Sequence, residues 1–337
     1  MSKKTFYIIL VVVIGLVIIG GLVWYFILKP SAPAAPASSV DFTVPGQIKS
    51  ETNIRVLSKG PVISARSDDY GILWYYDYSG QLWQWSADGV GENFSDSGDS
   101  VAMNQLPIEN LAEIIWPKVS SPDGKKIVYQ KNNSLFTSDP SGKNQKTLIS
   151  DLKLKDIILK WPNANKIALA SKPSGLVAGG LWFLDVRNLG IIKIIGDFFG
   201  LEMLFPQSGN SFIYSYADQN GKNLTLAVYD KNGNQKTINN ISTLVDKCVW
   251  AKDLISVYCA VPKSWPDFAI LPDDYYKNAF STNDDVWKIN TETGEKTLVV
   301  KNIGNISNLL LIENENPSLF FILKESQFLY KLNPVLE

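Results

Sequence analysis

Ile114-Ile-Trp-Pro-Lys-Val-Ser-Ser-Pro-Asp-Gly-Lys-Lys-Ile-Val-Tyr-Gln130 decides how this chain reads. An apolar stretch leads into Ser121-Pro122-Asp123-Gly124, whose residues favour a tight reversal, and Lys126–Gln130 returns as a second strand. Ser134–Ser138, a Pro140-Ser-Gly142 turn and Gln145–Ile149 complete a four-stranded antiparallel meander. The grammar repeats downstream, and an aromatic marks each repeat: Trp116, Trp161, Phe205 and Trp250 are spaced by 45, 44 and 45 residues. Strands recurring at such a period predict a β-propeller.

Working outward, the unit from Asp156 supplies strands at 166–170, 181–185 and 191–195. The unit from Leu201 supplies 211–215, 224–229 and 235–238, and the unit from Lys247 supplies 248–250, 255–261, 285–289 and 296–300. One unit precedes these four, with strands at 61–65, 72–76 and 81–85. A last unit follows, at 309–312, 319–323 and 328–332, and lacks a fourth strand. Asn53–Leu57 is the expected replacement, closing the ring and removing an open sheet edge. The expected fold class is therefore all-β: a six-bladed propeller of four-stranded antiparallel blades, with a single transmembrane helix before it.

Ser121-Pro-Asp-Gly-Lys-Lys-Ile-Val-Tyr129, followed by Leu135-Phe136, resembles the Ser-Pro-Asp-Gly repeat of TolB-type propellers, which also forms the propeller of prolyl-oligopeptidase-like peptidases. The repeat decays to Trp161-Pro-Asn-Ala, Phe205-Pro-Gln-Ser-Gly and Trp250-Ala-Lys-Asp in later units. The resemblance implies a six-bladed platform outside the cytoplasm that binds a protein or peptide partner in the cell envelope. Fold-level likeness names no ligand.

Phe6–Leu28 is a run of 23 residues without a charge, long enough to span a bilayer as a helix and too long for a cleaved secretory signal. Lys3 and Lys4 precede it and only Lys29 follows, which places the amino terminus in the cytoplasm and the rest outside. The expected division is a cytoplasmic start at 1–5, a span at 6–28, a Pro/Ala/Ser linker at 29–39 and a propeller at 40–337, its closing strand near 53–57 and its last blade near 306–332. Three prolines between Pro30 and Ser39 favour an extended spacer.

The formal charge of −1 falls to −4 once Lys3, Lys4 and Lys29 are set aside, a poor match for nucleic acid. The chain contains no histidine, which removes the commonest general base and metal ligand. No phosphate loop, nucleophile elbow, metal motif or cofactor motif is present, so a non-enzymatic role is favoured. The alternative is a carboxylate-dependent hydrolase or lyase in the propeller channel, which needs two facing acids.

Cys248 and Cys259 flank a turn centred on Asp253 and Leu254, so they oppose each other across a hairpin within reach of a disulfide. Two reduced, buried cysteines are the other reading. Insertions in a repeat array gather on one face. The longest is Lys263–Thr282, with smaller ones at Ser171–Gly180 and Asp96–Ala112, all expected on one rim. Trp265, Phe268, Asp273, Asp274, Tyr275 and Tyr276 of the longest loop are the candidate partner-binding residues, since aromatics with a few fixed charges make hot spots. A loop packed onto its own blade is the alternative.

Overall fold

The computed structural model describes residues 54–67, 72–78, 81–86, 89–93, 118–154, 157–206, 209, 211–313 and 317–332. The expected span at 6–28, the linker at 29–39, Trp116 and the extension at 96–112 lie outside these residues. Among the described residues, no helix is long and apolar enough to cross a membrane.

The chain is nearly all β, and its antiparallel sheets follow one another as four-stranded units, here called blades. Blade one holds β2 (Val62–Ser67), β3 (Leu73–Asp77), β4 (Leu82–Ser86) and β5 (Gly89–Asn93), and blade two holds β6 (Val119–Ser120), β7 (Ile127–Lys131), β8 (Ser134–Ser138) and β9 (Lys146–Ile149). Blades three and four share a seven-stranded sheet of β10 (Ile157–Asn163), β11 (Lys166–Ser171), β12 (Ala178–Asp185), β13 (Ile191–Leu204), β14 (Phe212–Ala217), β15 (Thr225–Tyr229) and β16 (Gln235–Ile238). They merge because β13 does not break: its first half pairs back to β12, and Phe199–Leu204 pairs forward to β14. Blade five holds β17 (Cys248–Trp250), β18 (Ser256–Pro262), β19 (Asp284–Asn290) and β20 (Lys296–Val300).

Blade six contains β21 (Ile306–Ile312), β22 (Ser318–Leu323) and β23 (Leu329–Leu332), and β1 (Ile54–Val56) is its fourth strand. Ile54 pairs with Leu332 and Val56 with Tyr330, so a segment from before the first blade completes the last one. The backbone groups that would line an open edge of β23 are thereby paired.

Apolar clusters join consecutive blades. Val128 and Leu135 of blade two meet Ile157, Leu159 and Ile167 of blade three. Ala168 and Phe183 of blade three meet Phe212 and Tyr214 of blade four. Ile213 and Val228 meet Val257 and Ile289 of blade five, Tyr258 and Val286 meet Phe321 and Tyr330 of blade six, and Phe320 and Leu329 meet Leu73 and Trp85 of blade one. Each interface removes apolar surface from water at about 25 cal/mol per Å². Three of the periodic aromatics serve these contacts: Trp161 and Phe205 pack against the clusters, and Trp250 ends β17 and donates Nε1–H to the Leu204 carbonyl of blade four at 3.1 Å.

Antiparallel order puts the first-to-second and third-to-fourth strand turns at one end of each blade. The second-to-third connections and the links between blades lie at the other. The Lys263–Thr282 and Ser171–Gly180 insertions therefore share an end, the rim.

Candidate functional site

Lys263–Thr282 leaves β18 and returns at β19, and its fold starts from one buried ion pair. Lys247 sits in a 3-10 turn, Val245–Lys247, just before β17. Its Nζ lies 2.8 Å from Asp284 Oδ2, and both side chains are 0% exposed. Nζ also reaches the Tyr275 hydroxyl at 3.1 Å, Asn305 Oδ1 at 3.1 Å and Thr282 Oγ1 at 3.3 Å. Thr282 donates to Asp284 Oδ1 at 2.8 Å, and the Ile306 N–H donates to Oδ2 at 2.9 Å. Burial lowers the affinity of Lys247 for its proton, and the Asp284 carboxylate opposes that loss. Buried charges persist only when paired and hydrogen-bonded in this way.

Tyr275 belongs to α1 (Asp273–Tyr276) and is the loop's anchor, almost fully buried. Lys247 and Lys324 place ammonium groups 4.7 and 3.5 Å from its ring centre, and Lys324 donates to its carbonyl at 2.5 Å. Trp265 stands edge-on to Tyr275 at 5.9 Å and donates Nε1–H to the Ser242 carbonyl at 3.2 Å. Burial raises the Tyr275 hydroxyl well above its usual range, and the surrounding carboxylates add to the rise.

The same loop grips its neighbours. Asp273 accepts from the Gly175 N–H at 2.6 Å and from Ser174 Oγ at 3.2 Å, joining the insertions of blades five and three. Gly175 is required there, since a Cβ would lie 2.3 Å from the Leu271 carbonyl oxygen. Lys222 of blade four donates to the carbonyls of Asp267 and Ala269 at 2.5 and 2.6 Å. Asp274 accepts from the Ile270 N–H at 2.8 Å and serves the loop's own turn.

Tyr276 follows the anchor and leaves 44% of its surface exposed, while its hydroxyl donates to Glu202 Oε1 at 2.6 Å. Glu202 lies on β13, opposite Ser215, and is 8% exposed. Its Oε2 is buried without a hydrogen-bond partner. Burial pushes the Glu202 carboxyl up to about 8, with the nearby Asp246 carboxylate a smaller cause. Asp246 is itself raised, mainly by burial, against the attraction of Lys160, Lys247 and Lys324. Tyr276 thus caps one oxygen of a carboxyl that burial holds protonated around neutral pH, with the Asp246 carboxyl nearby.

The six loop residues chosen from sequence thus separate by role. Tyr275 and Trp265 face inward, Asp273 and Asp274 tie the loop down, and Phe268 and Tyr276 face outward, Phe268 with 67% of its surface exposed. Leu176 and Val177 of the blade-three insertion are exposed on the same rim. Cys248 and Cys259 are joined in a disulfide, their α-carbons 4.1 Å apart in direct register. Among the described residues, no group of three or more potential ligands could hold a metal ion.

Sequence reasoning missed Lys247, Asp284, Asn305, Glu202 and Asp246. Polar and charged residues at strand ends ordinarily read as solvated, so Lys247, Asp284 and Asn305 gave no sign. Glu202 did give one: it is a lone acid in the apolar run Phe198–Phe205.

No family model matches the chain, and no curated protein matches it. Among solved structures it is similar to TolB from Acinetobacter baumannii, at 13% identity and a TM-score of 0.40, over 82% of this chain and 64% of TolB. It is similar to an oligogalacturonate lyase in complex with manganese at 11% identity and 0.48, over 82% of this chain and 79% of the lyase. It is also similar to Pyrococcus horikoshii acylaminoacyl peptidase at 11% identity and 0.44, over 82% of this chain and 46% of the peptidase. The chain spans just under two thirds of TolB's length. These likenesses concern the fold alone.

Proposed function

We propose that this chain is a membrane-anchored, six-bladed propeller of TolB type that binds a protein or peptide partner outside the cytoplasm through its loop-rich rim. The observation that carries the reading is the separation of roles within Lys263–Thr282. Tyr275 and Trp265 fix the loop from below, so Phe268 and Tyr276 are held outward on a pre-formed surface beside Leu176 and Val177. Rigid presentation of large apolar side chains lowers the ordering cost of association. The uncharged run at 6–28 and the lysines before it support anchoring with the propeller outside.

The test is site-specific photo-crosslinking in the full chain in its native membrane, with the probe at Phe268 or Leu176, and at the exposed Asn188 on the opposite end. One discrete adduct from the rim positions alone supports the reading. Equal labelling from both ends, or none from the rim, overturns it.

A second reading rests on Glu202, a buried carboxyl with one oxygen unpartnered and Asp246 nearby; a hydrolase or lyase would require the two acids to face each other across a cleft. Tyr276 caps one oxygen of Glu202, so substrate entry would require its ring to move. Turnover of an oligosaccharide panel that is lost in Glu202→Gln and retained in Phe268→Ser would favour this reading over the first.

A further inference from the structure

The end opposite the rim carries a cavity of about 520 Å³ between blades four and five. Its size falls within the roughly 300–1,000 Å³ typical of pockets that enclose small ligands. Val228 and Leu254 supply apolar wall, while Lys231, Lys236 and Glu292 bring charge of both signs. Asp230 also borders the cavity, but its carboxylate is used by its own turn, accepting from the Asn232 and Asn234 N–H groups at 2.8 Å and from Asn234 Nδ2 at 2.9 Å. Lys236 donates to the Glu292 main-chain carbonyl at 2.7 Å, which fixes its ammonium on the wall with hydrogens to spare.

Among the described residues two leucines, Leu189 and Leu254, take a left-handed conformation in a turn, and of the two Leu254 borders the cavity. It occupies a left-handed conformation at φ +60°, where the matching turns of blades two and four have Gly124 at φ +68° and Gly209 at φ +59°. A branched aliphatic side chain is disfavoured in that conformation. Asp253 forms the reversal by accepting from the Ile255 and Ser256 N–H groups at 2.8 and 2.7 Å, so nothing in the turn needs a leucine. The side chain nevertheless stays 37% exposed on the cavity wall. A locally disfavoured residue kept at a cavity points to use.

We propose that this cavity binds a short free peptide with an aliphatic side chain. Its carboxylate is taken by Lys231 and Lys236, its ammonium by Glu292, and its side chain lies on Leu254 and Val228. The site is separate from the rim and stands or falls independently of it. Charge-assisted contacts to both termini distinguish a free peptide from the end of a longer chain, which offers only one of them.

The test is calorimetric titration of the full-length chain with Ala-Leu-Ala bearing free termini. Saturable binding is expected, about tenfold weaker for the N-acetylated and for the C-amidated peptide. Lys231→Ala should weaken binding of the free tripeptide about tenfold and leave that of the C-amide nearly unchanged. Leu254→Gly gives the backbone the residue it prefers, so the variant retains the fold, and it should weaken binding by a similar factor. No saturable binding, blocked peptides that bind as well as the free one, or an unchanged affinity in Leu254→Gly would each overturn the proposal.

Discussion

The two ends of the blades are held by different physics. On the rim, contacts join residues far apart in the chain: Asp273 to Gly175, Tyr276 to Glu202 and Lys247 to Asn305. At the other end, the turns are closed chiefly by their own neighbours, with a few links between blades such as Lys236 to the Glu292 carbonyl and Lys252 to the Glu313 carbonyl. Asp230 binds Asn232 and Asn234, Asn290 accepts from the Glu292 and Thr293 N–H groups, and Ser121 pairs with Asp123. The rim therefore depends more on contacts between blades than the turn end does, where most of the bonds are local.

The sharpest break of that contrast is Lys247→Met, which leaves Asp284 buried and uncompensated. A loss of about 3–5 kcal/mol is expected in denaturant unfolding. The counterpart at the other end, Asp230→Ala, removes three local bonds from a solvent-exposed turn and should lower stability far less. Comparable losses from the two would erase the distinction drawn between the ends.

Glu202 sharpens the comparison through pH. Its ordinary value of 4.5 is raised to about 8 in the folded protein, so below 4.5 both states hold the proton. Between the two values the unfolded chain releases a proton that the folded one keeps. Stability therefore falls as pH rises through that window, by about 1.4 kcal/mol per pH unit at most. Glu202→Gln retains an acceptor for Tyr276 and cannot ionise, so its melting temperature should vary less between pH 5 and 9, and its advantage over the parent should be largest at pH 9. A parent protein with a flat profile over that range would show that Glu202 is not held protonated.

The disulfide lies between these extremes. It closes a separation of 11 residues, and replacing both Cys248 and Cys259 by serine should cost about 2–3 kcal/mol. Unfolding with and without reductant measures the same quantity. A loss confined to blade five, read by hydrogen exchange, is expected where blades are coupled only to their neighbours.

What could be read in the sequence follows the same division. The strands β8, β16, β17 and β20 fall where alternation and turn residues put them, to within one residue, and β1 pairs with β23 as the missing fourth strand required. Those features are local, or follow from counting strands. The unit ending at 191–195 and the unit starting at Leu201 are expected to be separate, yet β13 runs on from one into the other through Gly196 and Gly200. The rim site was only half legible. The composition of Lys263–Thr282 marked it as special, but which aromatics face outward depends on Lys247 and Asp284, whose burial is fixed by distant partners. Lysine before a strand and aspartate at the start of another carry no periodic signal.

The smallest predicted effect isolates a single backbone conformation. Gly124 and Leu254 occupy the same left-handed turn position in blades two and five, and a Cβ at Gly124 would meet nothing within 4 Å. Gly124→Leu thus tests conformation with little steric interference and should cost about 1–2 kcal/mol. The reverse change, Leu254→Gly, relieves the same strain. It also frees the unfolded chain and gives up the partly buried leucine surface, which together offset most of the gain. A net change within about 0.5 kcal/mol is expected from the pair of opposing terms. If Leu254→Gly instead lowered stability as much as Gly124→Leu does, packing of that leucine would explain its presence, and no ligand would be needed to account for it.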